Sequence, residues 1–394
     1  MLPYRLNFDP EHDSEFFAEV PAKPAVFLLR GESGEPYVTK TSNLRLRIKR
    51  LLGESEGISK RLNLRERAKT LDYALTGSDF ESGLLLYHVL RREFPKTYSN
   101  RLKLRFAPLL RLHLENAYPR VSVTTKLGSS KSGSIYYGPF PSRVAAEKYA
   151  NDSLDFFKLR RCVEELNPDP AFPGCVYSEM KMCLAPCFKG CTDEDYSAES
   201  ARVRQFFDTN GESLLREVSA ERDKASEELH FETAALLHAK IEKLKPVIAQ
   251  VPEIVHRIDE LSALMIQPSA EPESVVLFEI RGGRISQPVQ LKLTQTQELG
   301  GKPHSMEARI QEVLAETPVP VGSAQETMEQ LAILKRWYFR TSKVGEVFFA
   351  EDGELPWRRI VRAVSRVYKG EKPMPDLSES AKEYWIMRER LGKN

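Results

Sequence analysis

The sequence predicts an α+β multidomain protein, and three observations carry that reading. The chain has 394 residues, more than one small core organises, so length implies two to four domains. Short strand-like runs alternate with helical patterns towards both ends, and a stretch rich in helix formers lies between them. Ahead of that stretch, Cys162, Cys175, Cys183 and Cys187 crowd into 26 positions. The expected divisions are 1–108, a small α/β domain; 109–196, a cysteine-rich region; 197–250, a helical region; and 251–394, a C-terminal α/β segment.

Each element follows from local pattern. "AVFLL" at 25–29 reads as a short buried strand, "GESGEP" as a turn, and 37–40 as a second strand completing a hairpin. Asn43 is the expected N-cap of "LRLRIKRLL", in which Leu44, Ile48, Leu51 and Leu52 share one face. Residues 79–94 read as an amphipathic helix stopped by Pro95. "LLRLHLENAYPRVSVTTKL" alternates as strands do, and "IYYGPFPSRVAAEKYANDSLDFF" reads as a turn followed by a helix. Long helices fill 197–250. "SVVLFEIRGGRISQPVQLKL" predicts a hairpin turning at Gly282-Gly283, with helices to about Arg340. "VGEVFFAEDGELPWRRIVRAV" predicts strand, turn and helix. No internal repeat is visible, and the last residues read as a polar tail.

Hydrophobic content of 41% and charged content of 29% are those of an ordinary globular chain. The net charge of +2 does not by itself point to nucleic acid, but its distribution does. Residues 40–69 carry ten Lys/Arg against three Glu, and 91–111 carry seven against one. Residues 193–232 carry twelve acids against five bases. A basic first half and an acidic middle imply one surface for a polyanion and another for a different partner. The N-terminus lacks a signal-peptide layout, and no apolar run is long enough to span a bilayer. The expected location is cytoplasmic, with no membrane contact, where thiols stay reduced.

The cysteines are spaced C-x12-C-x7-C-x3-C, with Cys191 four positions further on. Thiolates at such density suit a metal site rather than small core hydrophobes. Zinc loops usually show paired knuckles, whereas here one close pair joins two distant cysteines; spacing alone leaves zinc and a [4Fe–4S] cluster both open.

Several tokens together resemble the UvrC family of bacterial nucleotide excision repair: "YVTKTSNLRLRI", "YPRVSVT", "YYGPF", "MCLAPC" and "LHFETAALLHAKIEKL". The similarity runs over about 23–291, and more weakly to about 348. It implies a [4Fe–4S] cluster on Cys162, Cys175, Cys183 and Cys187, with Cys191 as an extra thiol. It also implies a GIY-YIG nuclease fold for the first domain. In such folds tyrosines, an arginine and a lysine surround the scissile phosphate, and a glutamate holds one divalent metal. Carried over, these are Tyr37, Lys40 and Arg47, with Asn43 as the cap. Other positions depart. The first motif is Ala25-Val26-Phe27, without its phenol hydroxyl, and the closing glycine is Thr39. The metal-binding glutamate falls on Leu86, and a later asparagine falls on Tyr98. Leucine cannot bind Mg²⁺; a shifted Glu81 or Glu93 is the competing source of a ligand.

The resemblance further implies a UVR hairpin over 221–245, turning near His230-Phe231, through which UvrC proteins pair with UvrB. Phe231, Ala234, Ala235 and Ile241 are its expected contact set, and His238-Ala239 replaces an Arg-Asp pair. Asp352, Glu351 and Glu354 are expected in a turn. With no spaced acidic set near them, the RNase H-like nuclease and the helix-hairpin-helix tail of UvrC are expected to be missing. The resulting expectation is a UvrC-like repair protein that binds nicked or damaged duplex DNA and a UvrB-like partner but is impaired as a nuclease. The alternative is an active GIY-YIG endonuclease that makes one Mg²⁺- or Mn²⁺-dependent incision.

Overall fold

The computed structural model describes residues 2–54, 62–128, 133–293, 298–299, 302–303, 305–351 and 353–371. Lys60 and Arg61 of the first basic run, and Asp352, lie outside the described residues.

The first unit comprises β1 (Tyr4–Asn7), α1 (Asp13–Glu19), β2 (Ala25–Arg30), β3 (Tyr37–Thr41), α2 (Leu44–Leu52), β4 (Thr70–Leu75), α3 (Asp79–Glu93) and α4 (Tyr98–Leu102). The strands form an antiparallel sheet in the order β1-β4-β2-β3. β2 is apolar at almost every position because both its faces are covered. Ala25, Phe27 and Leu29 pack with Phe16 and Phe17 of α1 and with Leu44, Ile48, Leu51 and Leu52 of α2. Val26 and Leu28 face the other way, onto Val89, Leu85 and Leu86 of α3. The expected hairpin and both helices are present. β1, α1 and β4 were not anticipated; in β4, Asp72 interrupts the apolar pattern. Its charge is satisfied by Arg5 at 2.5 Å and by Arg30 at 3.7 Å.

The second sheet takes β5 (Leu109–Leu112), β6 (Val121–Thr124) and β7 (Ile135–Gly138), followed by α5 (Arg143–Leu154). The cysteine loop holds only α6 (Val176–Glu179) and a short 3-10 turn at Pro186–Phe188. Next come α7 (Asp193–Asp208), α8 (Glu212–Glu227), α9 (Phe231–Ala249) and β8 (His256–Arg257). β8 returns to pair with β7, giving the order β6-β5-β7-β8. "IYYG" is therefore a buried strand rather than part of a turn, and the helical region begins at Asp193.

The last unit contains β9 (Ser262–Pro268), β10 (Ser274–Arg281), β11 (Arg284–Ile285), β12 (Val289–Lys292), the two-residue strands β13 (Glu298–Leu299) and β14 (Lys302–Pro303), α10 (Met306–Ala315), α11 (Ala324–Tyr338), β15 (Glu346–Phe349) and α12 (Trp357–Lys369). The order is β11-β10-β9-β15, with β12 also paired to β10. Gly282 and Gly283 turn the β10–β11 hairpin with φ of 58° and 71°, where a side chain would be strained. One face of this sheet packs on Ile310, Leu314, Ile360 and Val364 of α10 and α12. The other packs on Leu331, Leu334 and Trp337 of α11, within a core that continues through Phe80, Leu84 and Tyr87 of α3 into the second sheet. That shared core seats α11 against α3, and the ring of Phe80 meets Phe278 edge-on at 5.2 Å and Trp337 at 5.7 Å.

Candidate functional site

The β3–α2 edge carries the first set. Asn43 caps α2 by accepting from the Leu46 amide at 3.0 Å, which fixes the first helical turn. Arg47, one turn in, donates 2.8 Å to the Tyr37 hydroxyl. Lys40 reaches across to α3 and pairs with Asp79 at 2.5 Å, while the other Asp79 oxygen takes Arg340, just past α11. Burial opposes the charge on Asp79, yet the bonds and charges of Lys40 and Arg340 outweigh it and hold the carboxyl below its ordinary range. Tyr37 thus meets Arg47, and Lys40 meets Asp79. Phe27 is fully buried behind them, its ring 6.1 Å from that of Tyr37.

Lys40, Asp79, Gly83, Leu86, Trp337 and Arg340 help line a cavity of about 130 Å³ between α3 and α11. Leu86 therefore shares a cavity with Lys40 and presents methyl groups there. Glu81 does not line that cavity. It lies at the start of α3, accepting 2.7 Å from the Gly77 amide, while the N-cap Ser78 accepts from the Glu81 amide at 3.1 Å. Burial, only partly offset by the Gly77 and Ser78 amides, pushes its carboxyl up to about 7. Glu93 pairs with Arg30 at 2.7 Å. Tyr98 and Tyr87 both donate to Glu329 of α11, at 2.8 and 2.9 Å. Sequence reading missed the role of Glu81, although the Ser78-x-x-Glu81 spacing signals it.

In the cysteine loop all five thiols are free and partly buried. Burial pushes Cys183 up to about 11, and Cys162, Cys187 and Cys175 add to the rise, so the four expected ligands share one neighbourhood. Cys187 is raised by burial and then by Cys175 and Cys162. Cys191 differs: after burial, its main influences are Asp195 and Asp193 at the start of α7. Arg160, only 3% exposed, donates to the Tyr118 and Glu164 carbonyls at 2.8 Å and approaches the Cys162 sulfur at 3.6 Å. The Ala185 amide approaches the Cys183 sulfur at 3.3 Å. Among the described residues no three His, Cys, Asp or Glu side chains are grouped so as to hold a single metal ion.

α8 and α9 form a hairpin turning at 228–230. Phe231 is 65% exposed and Ala235 is also open, while Ala234 is half-buried. Ile241 stands apart from the rest of the expected contact set: it is 3% exposed, because it lies on the face of α9 that meets the central core. Two leucines outside the expected set are exposed instead, Leu229 at 70% and Leu236 at 74%. Leu229 adopts φ of 62°, left-handed backbone that a bulky side chain rarely takes.

Residues 107–206 match the model of the UvrC/Cho excinuclease middle domain, and residues 212–245 that of the UvrB/uvrC motif. The second match spans α8 and most of α9. The chain is similar to UvrABC system protein C of Alcanivorax borkumensis, at 29% identity over 243 residues, 61% of this chain and 39% of that protein. The protein of the same name from Symbiobacterium thermophilum is 26% identical over 287 residues, 72% of this chain and 44% of its own. That from Acetivibrio thermocellus is 22% identical over 328 residues, 82% and 52% respectively. The chain thus spans about half or less of the length of these relatives. No solved structure matches it. No helix among the described residues is long and apolar enough to cross a membrane.

Proposed function

From a chain that carries a UvrC-type middle domain followed by a UVR motif, we propose a nucleic-acid-binding factor of excision repair whose first domain holds a phosphate without cutting it. The observation that carries this reading is the cavity shared by Lys40 and Leu86. Lys40 and Arg47 supply positive charge for a phosphate, and Arg47 fixes the Tyr37 phenol. Cleavage by this fold asks for a metal to activate water and to stabilise charge on the phosphorane. Leu86 offers no oxygen, Glu81 and Glu93 are committed elsewhere, and Asp79, the acid that does line the cavity, is held by Lys40 and Arg340. The DNA class is duplex carrying a nick or a lesion. The test uses full chain with end-labelled nicked and lesion-bearing duplex, in Mg²⁺, Mn²⁺ or EDTA. Binding without cleavage is expected. Metal-dependent cleavage lost in Tyr37→Phe would overturn it in favour of a single-incision endonuclease.

Cys162, Cys175, Cys183 and Cys187 are read as ligands of a [4Fe–4S] cluster, with zinc as the alternative. Zinc loops commonly pair their cysteines in close knuckles, whereas here one close pair, Cys183 and Cys187, joins two distant cysteines. Cys162, Cys175, Cys183 and Cys187 would hold the cluster, which would cross-link a loop that has little regular structure of its own. Arg160 would neutralise part of the thiolate charge at Cys162. The partner of the α8–α9 hairpin is a UvrB-like hairpin. The exposed Leu229, Phe231 and Leu236 support that reading, since Leu229 keeps a bulky side chain where glycine would relieve the backbone.

A further inference from the structure

The 101–105 segment and the end of α11 bring together cations that the proposed phosphate site does not use. Arg101, Lys103 and Arg105 are exposed, while Leu102 and Leu104 between them tuck against the central core. The alternation places leucines on the floor and cations on the rim. Opposite them stand Lys335 and Arg336. Leu102 to Arg105, with Ala332, Lys335 and Arg336, line an open cavity of about 490 Å³ with no acid in its wall. It shares Leu102, Leu104 and Arg336 with the 130 Å³ cavity that holds Lys40, Arg101 and Arg340, so the two are parts of one groove.

The charges of this groove are unevenly compensated. Lys40 and Arg340 divide Asp79 between them, and Arg101 pairs with Glu35 at 2.6 Å while stacking 3.8 Å over Phe94. Lys103, Arg105, Lys335 and Arg336 have no carboxylate partner among the described residues. The C-terminal dipole of α11 accounts for Lys335 and Arg336 in its last turn. It does not account for Arg105 beside Lys335. Burial and that neighbouring guanidinium both press the Lys335 ammonium towards its neutral form. Like charges held together in a folded protein are relieved by a polyanion that releases counterions on binding.

The geometry points to a phosphate-backbone track for nucleic acid that starts at Lys40 and runs between 101–105 and α11, so that the C-terminal unit supplies half of the binding surface. This inference rests on the nucleic-acid reading of the first domain. Nucleic acid is favoured over an acidic protein because the groove is continuous with the Lys40 site.

The test measures binding of full chain to labelled nicked duplex across a salt series. Arg105→Ala/Lys335→Ala/Arg336→Ala is expected to weaken binding at low salt by tenfold or more. It should also reduce the slope of log affinity against log salt by about 2 to 3, since each phosphate contact contributes about 0.9. Arg105→Glu separates the electrostatic role from a structural one. It places an acid beside Lys335, so thermal stability should hold or rise while DNA affinity falls. Unchanged affinity and slope in both variants, with wild type binding DNA, would overturn the groove and leave the first-domain reading standing. Loss of Tm in Arg105→Glu together with weakened binding would overturn it as a structural effect. Polyglutamate competing as well as DNA at equal charge would overturn the choice of nucleic acid. Wild type that binds no DNA at any salt would remove both readings.

Discussion

Tyr87 of α3 donates a 2.9 Å hydrogen bond to Glu329 of α11, across 242 residues of chain. Glu329 is fully buried, and its second oxygen accepts from Tyr98 at 2.8 Å. Next to it, Arg91 pairs with Glu326. A buried carboxylate is tolerated only when its lone pairs are met, and here two phenols and Gln325 at 3.0 Å meet them. The network orders the α3–α11 contact that lies beneath the groove.

Glu329→Ala strands two phenols at that contact, one of them fully buried. It should cost about 2–4 kcal/mol, more than the roughly 1 kcal/mol of Tyr98→Phe, whose partly exposed ring keeps its packing. Urea denaturation of both single variants and the double variant gives their coupling. A Glu329→Ala loss below about 0.5 kcal/mol would mean the network does not brace the two units.

That contact was not legible in the sequence, and the reason is physical. Periodicity identifies which face of a helix is apolar, which made α2 readable, and the β10–β11 hairpin was readable from its Gly282-Gly283 turn. α3 is apolar on more than one face, so pattern alone does not say what covers the second. Tyr87 and Glu329 belong to different units, and nothing local links them. The same limit explains Ile241: the apolar positions of α9 serve both the core and the outer surface, and only packing divides them. β7 was hidden for a simpler reason, being four residues long and ending at Gly138-Pro139. Lys40 and Arg47 were singled out by resemblance and the four cysteines by their density, whereas the 101–105 and α11 cations came into view only when the fold placed them together.

Glu81 makes stability depend on pH. Its carboxyl is pushed from the ordinary value of 4.5 up to about 7 by burial, so the folded state binds its proton more tightly than the unfolded chain. The contribution is fully present below 4.5 and is lost as pH rises to about 7. Glu81→Gln keeps an oxygen for the Gly77 amide and has no charge to bury. It should flatten the stability profile across this window and be more stable than wild type at pH 8 by a few kcal/mol at most, since a tenfold difference in proton affinity corresponds to about 1.4 kcal/mol. Thermal melts from pH 4 to 8 read the difference. Parallel profiles for the two proteins would exclude Glu81 as the titrating group.

The cysteines separate into four and one. In anaerobically prepared protein, Cys183→Ser should lose bound iron and sulfide and fail to fold stably, because the loop has few other restraints. Cys191→Ser should keep iron at the wild-type level, since its main influences beyond burial are Asp195 and Asp193 rather than the other thiols. Metal analysis with circular dichroism distinguishes them. A stably folded, iron-free Cys183→Ser protein would reduce the cluster to an ornament of the fold, and stoichiometric zinc in the wild type would replace it altogether.

The hairpin offers the sharpest contrast between partner contact and core. Leu236 and Phe231 are 74% and 65% exposed, so replacing either by alanine removes little that the folded chain uses. If they meet a UvrB-like hairpin, each becomes buried on binding, and apolar side chains at the centre of an interface commonly cost more than 1 kcal/mol when truncated. Phe231→Ala/Leu236→Ala should therefore weaken capture of the isolated UvrB-type hairpin at least tenfold with Tm unchanged. Ile241→Ala should do the reverse, destabilising the fold by about 2–5 kcal/mol through a core cavity while leaving the outer face intact. At a temperature where that variant is still folded, its affinity should match wild type. Calorimetric titration and thermal melts on the same preparations decide the matter. If Ile241→Ala loses binding in the folded state while the double variant keeps it, the contact surface is the inner face of α9, and the hairpin must open to engage its partner.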